Sequence, residues 1–132
     1  MMNQQEREQL YNTAWKHWGS DTQMDMLIEE MAELTQAILK TRRAGVKFSY
    51  AVYEEIADVS ICMEQIETQL KKYPRAGKHH NGTMGDGFDW DTVLSIRDRK
   101  LTRLQNRLFQ SMEEKHFPEL TDVTIGTAGG NR

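Results

Sequence analysis

Residues 24–38 read MDMLIEEMAELTQAI, and this stretch predicts an amphipathic helix that carries acids beside its apolar side. Its apolar residues recur at intervals of three and four, the spacing of a helix with one buried side. The stripe consists of Met24, Leu27, Ile28, Met31, Leu34, Thr35 and Ile38. We predict a helix from about Thr22 to Arg42. Ser20 or Asp21 precedes it as a candidate N-terminal cap.

The same spacing predicts three further helices and no strand. The first covers about Gln4 to Trp18, the third follows Ser49 and ends near Lys72, and the fourth covers about Asp91 to His116. We therefore expect an all-α fold, an antiparallel helical bundle of four main helices. Each helix is apolar on one side, and a chain this short leaves some apolar surface uncovered, at Trp15, Trp18, Tyr50 and Tyr53. We therefore expect assembly into a homodimer or homotetramer.

The glycine and proline content divides the chain further. Residues 74–89 contain four glycines and no apolar periodicity, which predicts an inserted flexible loop. Residues 118–132 are rich in threonine and glycine and are predicted to form a disordered tail. We expect a single helical domain over residues 1–117.

Composition excludes several classes of protein. The longest apolar run has four residues, 50–53, and the polar N-terminus has no signal-peptide pattern, so we expect a cytoplasmic protein without a membrane span. The net charge is −3 and the basic fourth helix lacks interleaved aromatic residues, which disfavours nucleic-acid binding. The single cysteine, Cys62, lies in an apolar helical pattern and is expected to be buried.

Two pairs of carboxylates have the spacing of one helical turn. Glu30 and Glu33 lie about 60° apart around the second helix, and Glu55 and Asp58 stand in the same relation on the third. If these helices pack through their apolar sides, the four groups converge, and their repulsion requires a cation. Oxygen ligands without histidine or cysteine favour Mg²⁺, with Mn²⁺ as the alternative.

A simpler interpretation of each pair remains open. Glutamate-rich helical faces are common, and either motif alone is typical of solvated acids. Only the joint pattern, two motifs on two helices joined by a short turn, favours a metal site. A di-iron bundle is disfavoured because those sites use Glu-x-x-His, and no histidine stands three residues after Glu30 or Glu55.

The joint pattern resembles the MazG-like all-α nucleoside triphosphate pyrophosphohydrolases, whose signature is EExxE followed, after a variable spacer, by ExxD. The matching residues are Glu29-Glu30-Met31-Ala32-Glu33 and Glu55-Ile56-Ala57-Asp58, separated by 21 residues. The resemblance implies Mg²⁺-dependent hydrolysis of a nucleoside triphosphate between its α and β phosphates. It also implies Glu30, Glu33, Glu55 and Asp58 as metal ligands.

The resemblance suggests roles for five further residues. Glu29 is the candidate for orienting or deprotonating the attacking water, and Lys100 and Arg103 match basic positions that could hold the outer phosphates. Trp18 and Gln23 are candidates for stacking on and hydrogen bonding to the nucleobase. The alternative is a helical module that binds nucleotide or a protein partner without catalysis, with Lys100 and Arg103 on a solvated face and Trp18 in the core.

Overall fold

The computed structural model describes residues 1–72 and 90–116, which form four α-helices and, within those ranges, no strand. The helices are α1 (Gln4–Trp18), α2 (Ser20–Arg43), α3 (Tyr50–Leu70) and α4 (Trp90–His116). The all-helical prediction is confirmed, and each helix begins and ends within two residues of its predicted bounds. The predicted loop at 74–89 and the predicted tail at 118–132 lie outside the described residues.

The chain divides into two compact units, and each is described by itself. The first covers Met1–Trp90 and contains α1, α2 and α3, while the second covers Asp91–Arg132 and contains nearly all of α4. The single domain and the antiparallel bundle of four helices stay predictions. No helix within the described ranges has an apolar stretch long enough to cross a membrane.

A single glycine joins α1 to α2. Asn3 and Glu6 cap the start of α1 reciprocally, each side chain accepting a hydrogen bond from the other's backbone N–H. At the other end Gly19 has φ +89°, a value that L side chains rarely adopt. Its carbonyl already accepts from the N–H of Gln23. The prediction that Ser20 or Asp21 caps α2 is therefore wrong, because Gly19 occupies that position and Ser20 is helical.

The helices α2 and α3 form an antiparallel hairpin, because residues later in α2 contact residues earlier in α3. Near the turn, Thr41 and Ser49 share a hydrogen bond of 2.7 Å between their hydroxyl oxygens. Farther from it, oxygens of Glu30 and Asp58 lie within 4.8 Å. Ser49 stands at the N-cap of α3, as predicted, but its hydroxyl pairs with Thr41 rather than with a backbone N–H of α3.

The buried side of α2 differs from the predicted apolar stripe. Among the stripe residues only Leu27 is buried, whereas Ile28 is 64% exposed and Met31 is 53% exposed. The side that packs repeats at intervals of four and three and includes small and polar residues. It consists of Gln23, Leu27, Glu30, Leu34, Ala37 and Thr41, each buried or half-buried. Glu30 therefore lies within the contact between α2 and α3 rather than next to it.

A second apolar set follows the buried one, one residue later, on both helices. We call it the apolar face, and all of its residues are exposed. It comprises Met24, Ile28, Met31, Thr35 and Ile38 of α2 with Tyr53, Ile56, Ser60 and Met63 of α3. A shift of one residue turns a helix by 100°, and on two helices of opposite direction this turn leads to the same side of the hairpin. The hairpin therefore carries one continuous exposed apolar face.

Candidate metal centre

Three carboxylates meet where α2 crosses α3. One oxygen each from Glu30, Glu55 and Asp58 lies within 4.8 Å of the others. Glu30 belongs to the packed side of α2, and Glu55 and Asp58 lie one turn apart on α3, so the helix contact itself brings the three together. Glu30 and Glu55 are half-buried and Asp58 is exposed. The cluster therefore lies at the edge of the helix contact, open to solvent on one side.

The cluster is electrostatically strained without a cation. Burial raises the pKa of Glu30, and the charges of Asp58 and Glu33 raise it further. Burial likewise raises the pKa of Glu55, with added repulsion from the same two neighbours. Neither salt bridge found in residues 1–72, Arg7–Glu64 or Lys71–Glu67, involves the cluster. The negative charge is therefore not neutralised by any ion pair in that range.

One carboxylate oxygen of Glu55, Oε2, is buried without a hydrogen-bond partner among the described residues. A buried acceptor without a partner is destabilising, most of all when it carries charge. In an octahedral Mg²⁺ site with ligands at 2.0–2.1 Å, ligand oxygens lie about 3–4 Å apart, so small side-chain rotations would suffice to close the cluster around one ion. The donor set fits Mg²⁺ or Mn²⁺.

The other two predicted acids lie around this cluster rather than in it. Glu33 is exposed and is not one of the three grouped residues, although its charge raises the pKa of both Glu30 and Glu55. A side-chain hydrogen bond between Glu33 and Glu55 raises the pKa of Glu55 as well. Glu29 is also exposed, and its charge contributes more weakly at Glu30. The structure thus brings together three of the four predicted ligands and leaves Glu33 and Glu29 at the periphery.

A cavity of about 520 Å³ adjoins the carboxylates inside the first unit. Glu30 and Asp58 form part of its lining, so the cavity and the carboxylate cluster are continuous. The walls are otherwise mostly apolar and come from all three helices: Leu10, Ala14 and Trp18 of α1, Met26 of α2, and Ile61 and Cys62 of α3. Cys62 is buried there, as predicted. A cavity with apolar walls and one acidic end suits a small molecule with an apolar part and a polar end.

The predicted ring-binding residues both line this cavity. Trp18 is 58% exposed and packs edge-on against His17, with ring centroids 5.3 Å apart, so it is not a core residue. Gln23 is buried. Lys100 and Arg103 are exposed on α4, one turn apart, in the unit that is described separately.

The position of α1 against the cavity depends on a polar contact with α3. The Tyr11 hydroxyl donates to Oε2 of Glu64 at 2.8 Å, and Nε of Arg7 donates to Oε1 of the same carboxylate at 3.0 Å. Burial and the hydrogen bond to Glu64 raise the pKa of Tyr11 to about 12. The donated hydrogen bonds lower the pKa of Glu64, that of Tyr11 most. These two hydrogen bonds tie α1, which forms one wall of the cavity, to α3.

Tyr11 and Gln65 line the cavity but were not predicted from the sequence. A glutamine or tyrosine in a helix is usually interpreted as a surface residue or a generic core residue. A signal was nevertheless present, because Gln65 and Gln69 continue the three- and four-residue spacing of Val52, Val59 and Cys62 on α3. A glutamine at a packed position needs a hydrogen-bond partner, either from the chain or from a ligand.

Comparison with models of known protein families gives no match, and comparisons with characterised proteins and with solved structures give no significant match. The resemblance to the MazG-like family therefore rests on the two acidic motifs and their spacing.

Proposed function

We propose that the protein is a Mg²⁺-dependent nucleoside triphosphate pyrophosphohydrolase, which cleaves an NTP or dNTP between the α and β phosphates. The observation that carries this proposal is the convergence of Glu30, Glu55 and Asp58 within 4.8 Å, with an unpartnered buried oxygen on Glu55. The spacing of the two acidic motifs supports it as well. The protein would act on the nucleotide pool of the cytoplasm.

The neighbouring cavity supports a nucleotide as the substrate. It shares Glu30 and Asp58 with the carboxylate cluster, so one molecule can reach both sites. The base would lie between the apolar walls, beside Trp18 and Gln23, and the triphosphate would extend toward the acids. A polyphosphate could lie there only with a cation between it and the carboxylates, which agrees with the Mg²⁺ requirement.

Each residue then has a defined part in the reaction. Glu30, Glu55 and Asp58 would hold the metal, and Glu33 lies beside these three carboxylates. Bound Mg²⁺ would supply charge neutralisation at the phosphates and a lower pKa for an attacking water. The water oxygen bonds to the α phosphorus as the bond from that phosphorus to the bridging oxygen breaks. Pyrophosphate leaves with the bridging oxygen. Glu29 would accept the proton of the water. A role for Lys100 and Arg103 at the outer phosphates stays an expectation from the sequence, because both residues belong to the unit that is described separately.

The apolar face supports assembly of the protein as a homodimer or homotetramer. Its residues repeat at intervals of three and four on both helices of the hairpin, which is the pattern of a helix-packing surface. Two copies that pair through this face would bury the same residues on each side, and so form a symmetric contact. Glu30 and Glu55 belong to the packed side of the hairpin, and each stands one residue before a member of the apolar face, Met31 and Ile56.

The proposed reaction is tested by pyrophosphate release. Purified protein should release pyrophosphate from at least one NTP or dNTP with Mg²⁺ or Mn²⁺ and not with EDTA. Asp58→Asn and Glu55→Gln should abolish release while circular dichroism shows retained helix, and Asp25→Asn, an exposed acid elsewhere on α2, should leave it unchanged. Full activity in both carboxylate variants would contradict the proposal.

A second candidate function is a module that binds nucleotide without cleaving it. The observation that favours it is the position of Glu29, which is exposed and outside the grouped carboxylates, so the attacking water has no base held against it by the described residues. This candidate predicts that nucleotide with Mg²⁺ raises the melting temperature while no pyrophosphate appears from any substrate in the panel.

A further inference from the structure

Two glutamine side chains line the cavity without a partner. Gln23 of α2 is 7% exposed and Gln65 of α3 is 5% exposed, and both are part of the cavity lining. Within the described parts of the chain, no hydrogen bond joins either side-chain amide to another residue. Among the described residues, the side-chain atom that is both enclosed and unpartnered is Oε2 of Glu55. The amides of Gln23 and Gln65 are therefore not completely enclosed by protein: both keep some accessible surface, and both residues border the cavity.

A neighbouring glutamine shows that burial does not by itself leave an amide unpartnered. Gln69 lies one turn beyond Gln65 on α3 and is 6% exposed. Its Nε2 donates to Oδ1 of Asn12 at 3.0 Å, and its Oε1 accepts from Nζ of Lys72. Gln69 is not part of the cavity lining. The lack of partners is thus confined to the two buried glutamines that border the cavity.

The chemistry of the lining defines the ligand that would satisfy them. A carboxamide offers two N–H donors and one acceptor, so it pairs with a ring edge on which a donor and an acceptor are adjacent. The remaining walls are the apolar side chains of Leu10, Ala14, Met26 and Ile61, with the Trp18 ring beside them. No lysine or arginine is part of the described lining, which disfavours an anionic ring.

We propose that Gln65, together with Gln23, reads the hydrogen-bonding edge of a nucleobase in this cavity, and that Gln65 is a specificity-determining residue. This inference rests on the proposed function for the nucleotide nature of the ligand. Gln65 and Gln23 lie on different helices, so a ring between them bonds to both sides of the hairpin. The apolar walls favour a flat ring, and Glu30 and Asp58 mark the end at which the phosphates leave the cavity.

Nucleoside binding to the metal-free full chain tests this inference apart from catalysis. Protein labelled with ¹⁵N-glutamine is titrated in EDTA with adenosine, guanosine, cytidine, uridine and thymidine, none of which carries a phosphate. At least one nucleoside should shift the side-chain N–H resonances of Gln65 and Gln23, assigned from substituted proteins, and leave those of Gln69 unchanged. Ribose alone should shift none. Shifts absent for all five nucleosides would overturn the proposal.

A substitution then tests the role in specificity. Gln65→Met keeps length and helix propensity but removes both donors and the acceptor, and it should weaken nucleoside binding roughly three- to tenfold, as expected for one or two hydrogen bonds. In the hydrolysis assay it should raise KM more than it lowers kcat and change the order of preference among bases. Gln36→Met, at an exposed position of α2, is the control and should change neither.

The possible results separate the two proposals. If pyrophosphate is released but Gln65→Met keeps KM and base preference, the inference about Gln65 fails and the proposed function stands. If nucleosides bind through Gln65 but no triphosphate is cleaved, the inference stands and the proposed reaction fails. If water is the only partner of the amides, no nucleoside shifts their resonances, and the inference about Gln65 fails.

Discussion

Replacing Glu30 by glutamine should stabilise the protein when no metal is present. Glu30 is half-buried and shares a 4.8 Å cluster with Glu55 and Asp58, and no ion pair in residues 1–72 neutralises them. Glutamine keeps the shape of the side chain and removes one of the three charges. Most substitutions at a packed position destabilise, so an increase in the free energy of unfolding would identify charge repulsion as its cause.

The magnitude follows from the separation of the oxygens. Two unit charges 4.8 Å apart repel by about 0.9 kcal/mol in water and by about 3.5 kcal/mol at an effective dielectric constant of 20. The open side of the cluster places the value near the aqueous end, because solvent and salt screen an exposed group such as Asp58. With two neighbours, Glu30→Gln should gain about 1–2 kcal/mol, or roughly 5 °C in melting temperature for a domain of this size.

Thermal melts followed by circular dichroism at pH 8 measure the effect. In EDTA, Glu30→Gln should melt above the wild-type protein, and on addition of Mg²⁺ the order should reverse, because the wild-type cluster binds the ion more tightly. Asp25→Asn removes one exposed negative charge from the same helix and should shift neither melt appreciably. A Glu30→Gln variant that is equally destabilised in EDTA and in Mg²⁺ would refute the reasoning, because the position would then serve packing alone.

Three further outcomes are expected. Stability of the metal-free protein should fall as pH rises from 5 to 8, because the pKa of Glu30 and of Glu55 is raised in the folded state, which therefore holds more protons than the unfolded chain. The lowered pKa of Glu64 makes stability increase with pH, but only below about pH 4.5. Melting temperatures measured across pH 5–8 in EDTA therefore report on the carboxylate cluster, and a melting temperature that rises with pH would contradict the prediction. Tyr11→Phe keeps the ring but removes a hydrogen bond to a charged carboxylate, and should cost about 1.5–3 kcal/mol in urea unfolding; a change below 0.5 kcal/mol would mean that this contact does not anchor α1. If the protein assembles through the apolar face as proposed, Met31→Glu should reduce the mass in light scattering to that of a monomer while Gln36→Glu should not, and an unchanged mass would exclude this face as the contact.

The positions of the helices could be predicted from the sequence because the causes are local. Apolar spacing of three and four sets a helix over Gln4–Trp18 as well as over the longer α2 and α3, and glycine and polar residues at their ends stop them. The pairing of Glu30 with Asp58 could also be anticipated, since three-residue spacing puts carboxylates one turn apart and the short turn at 44–49 makes the two helices neighbours.

Which side of each helix packs was decided only in the tertiary structure. The sequence of α2 contains two heptad patterns one residue apart, and residue type favoured the one with Met24, Ile28 and Met31. The chain instead packs through the pattern with Gln23, Ala37 and Thr41, where small side chains let α3 approach closely. Residue type alone does not select the packed pattern, because packing also depends on what the partner helix presents. It is this choice that brings Glu30 into the carboxylate cluster and leaves Gln65 unpartnered at the cavity wall.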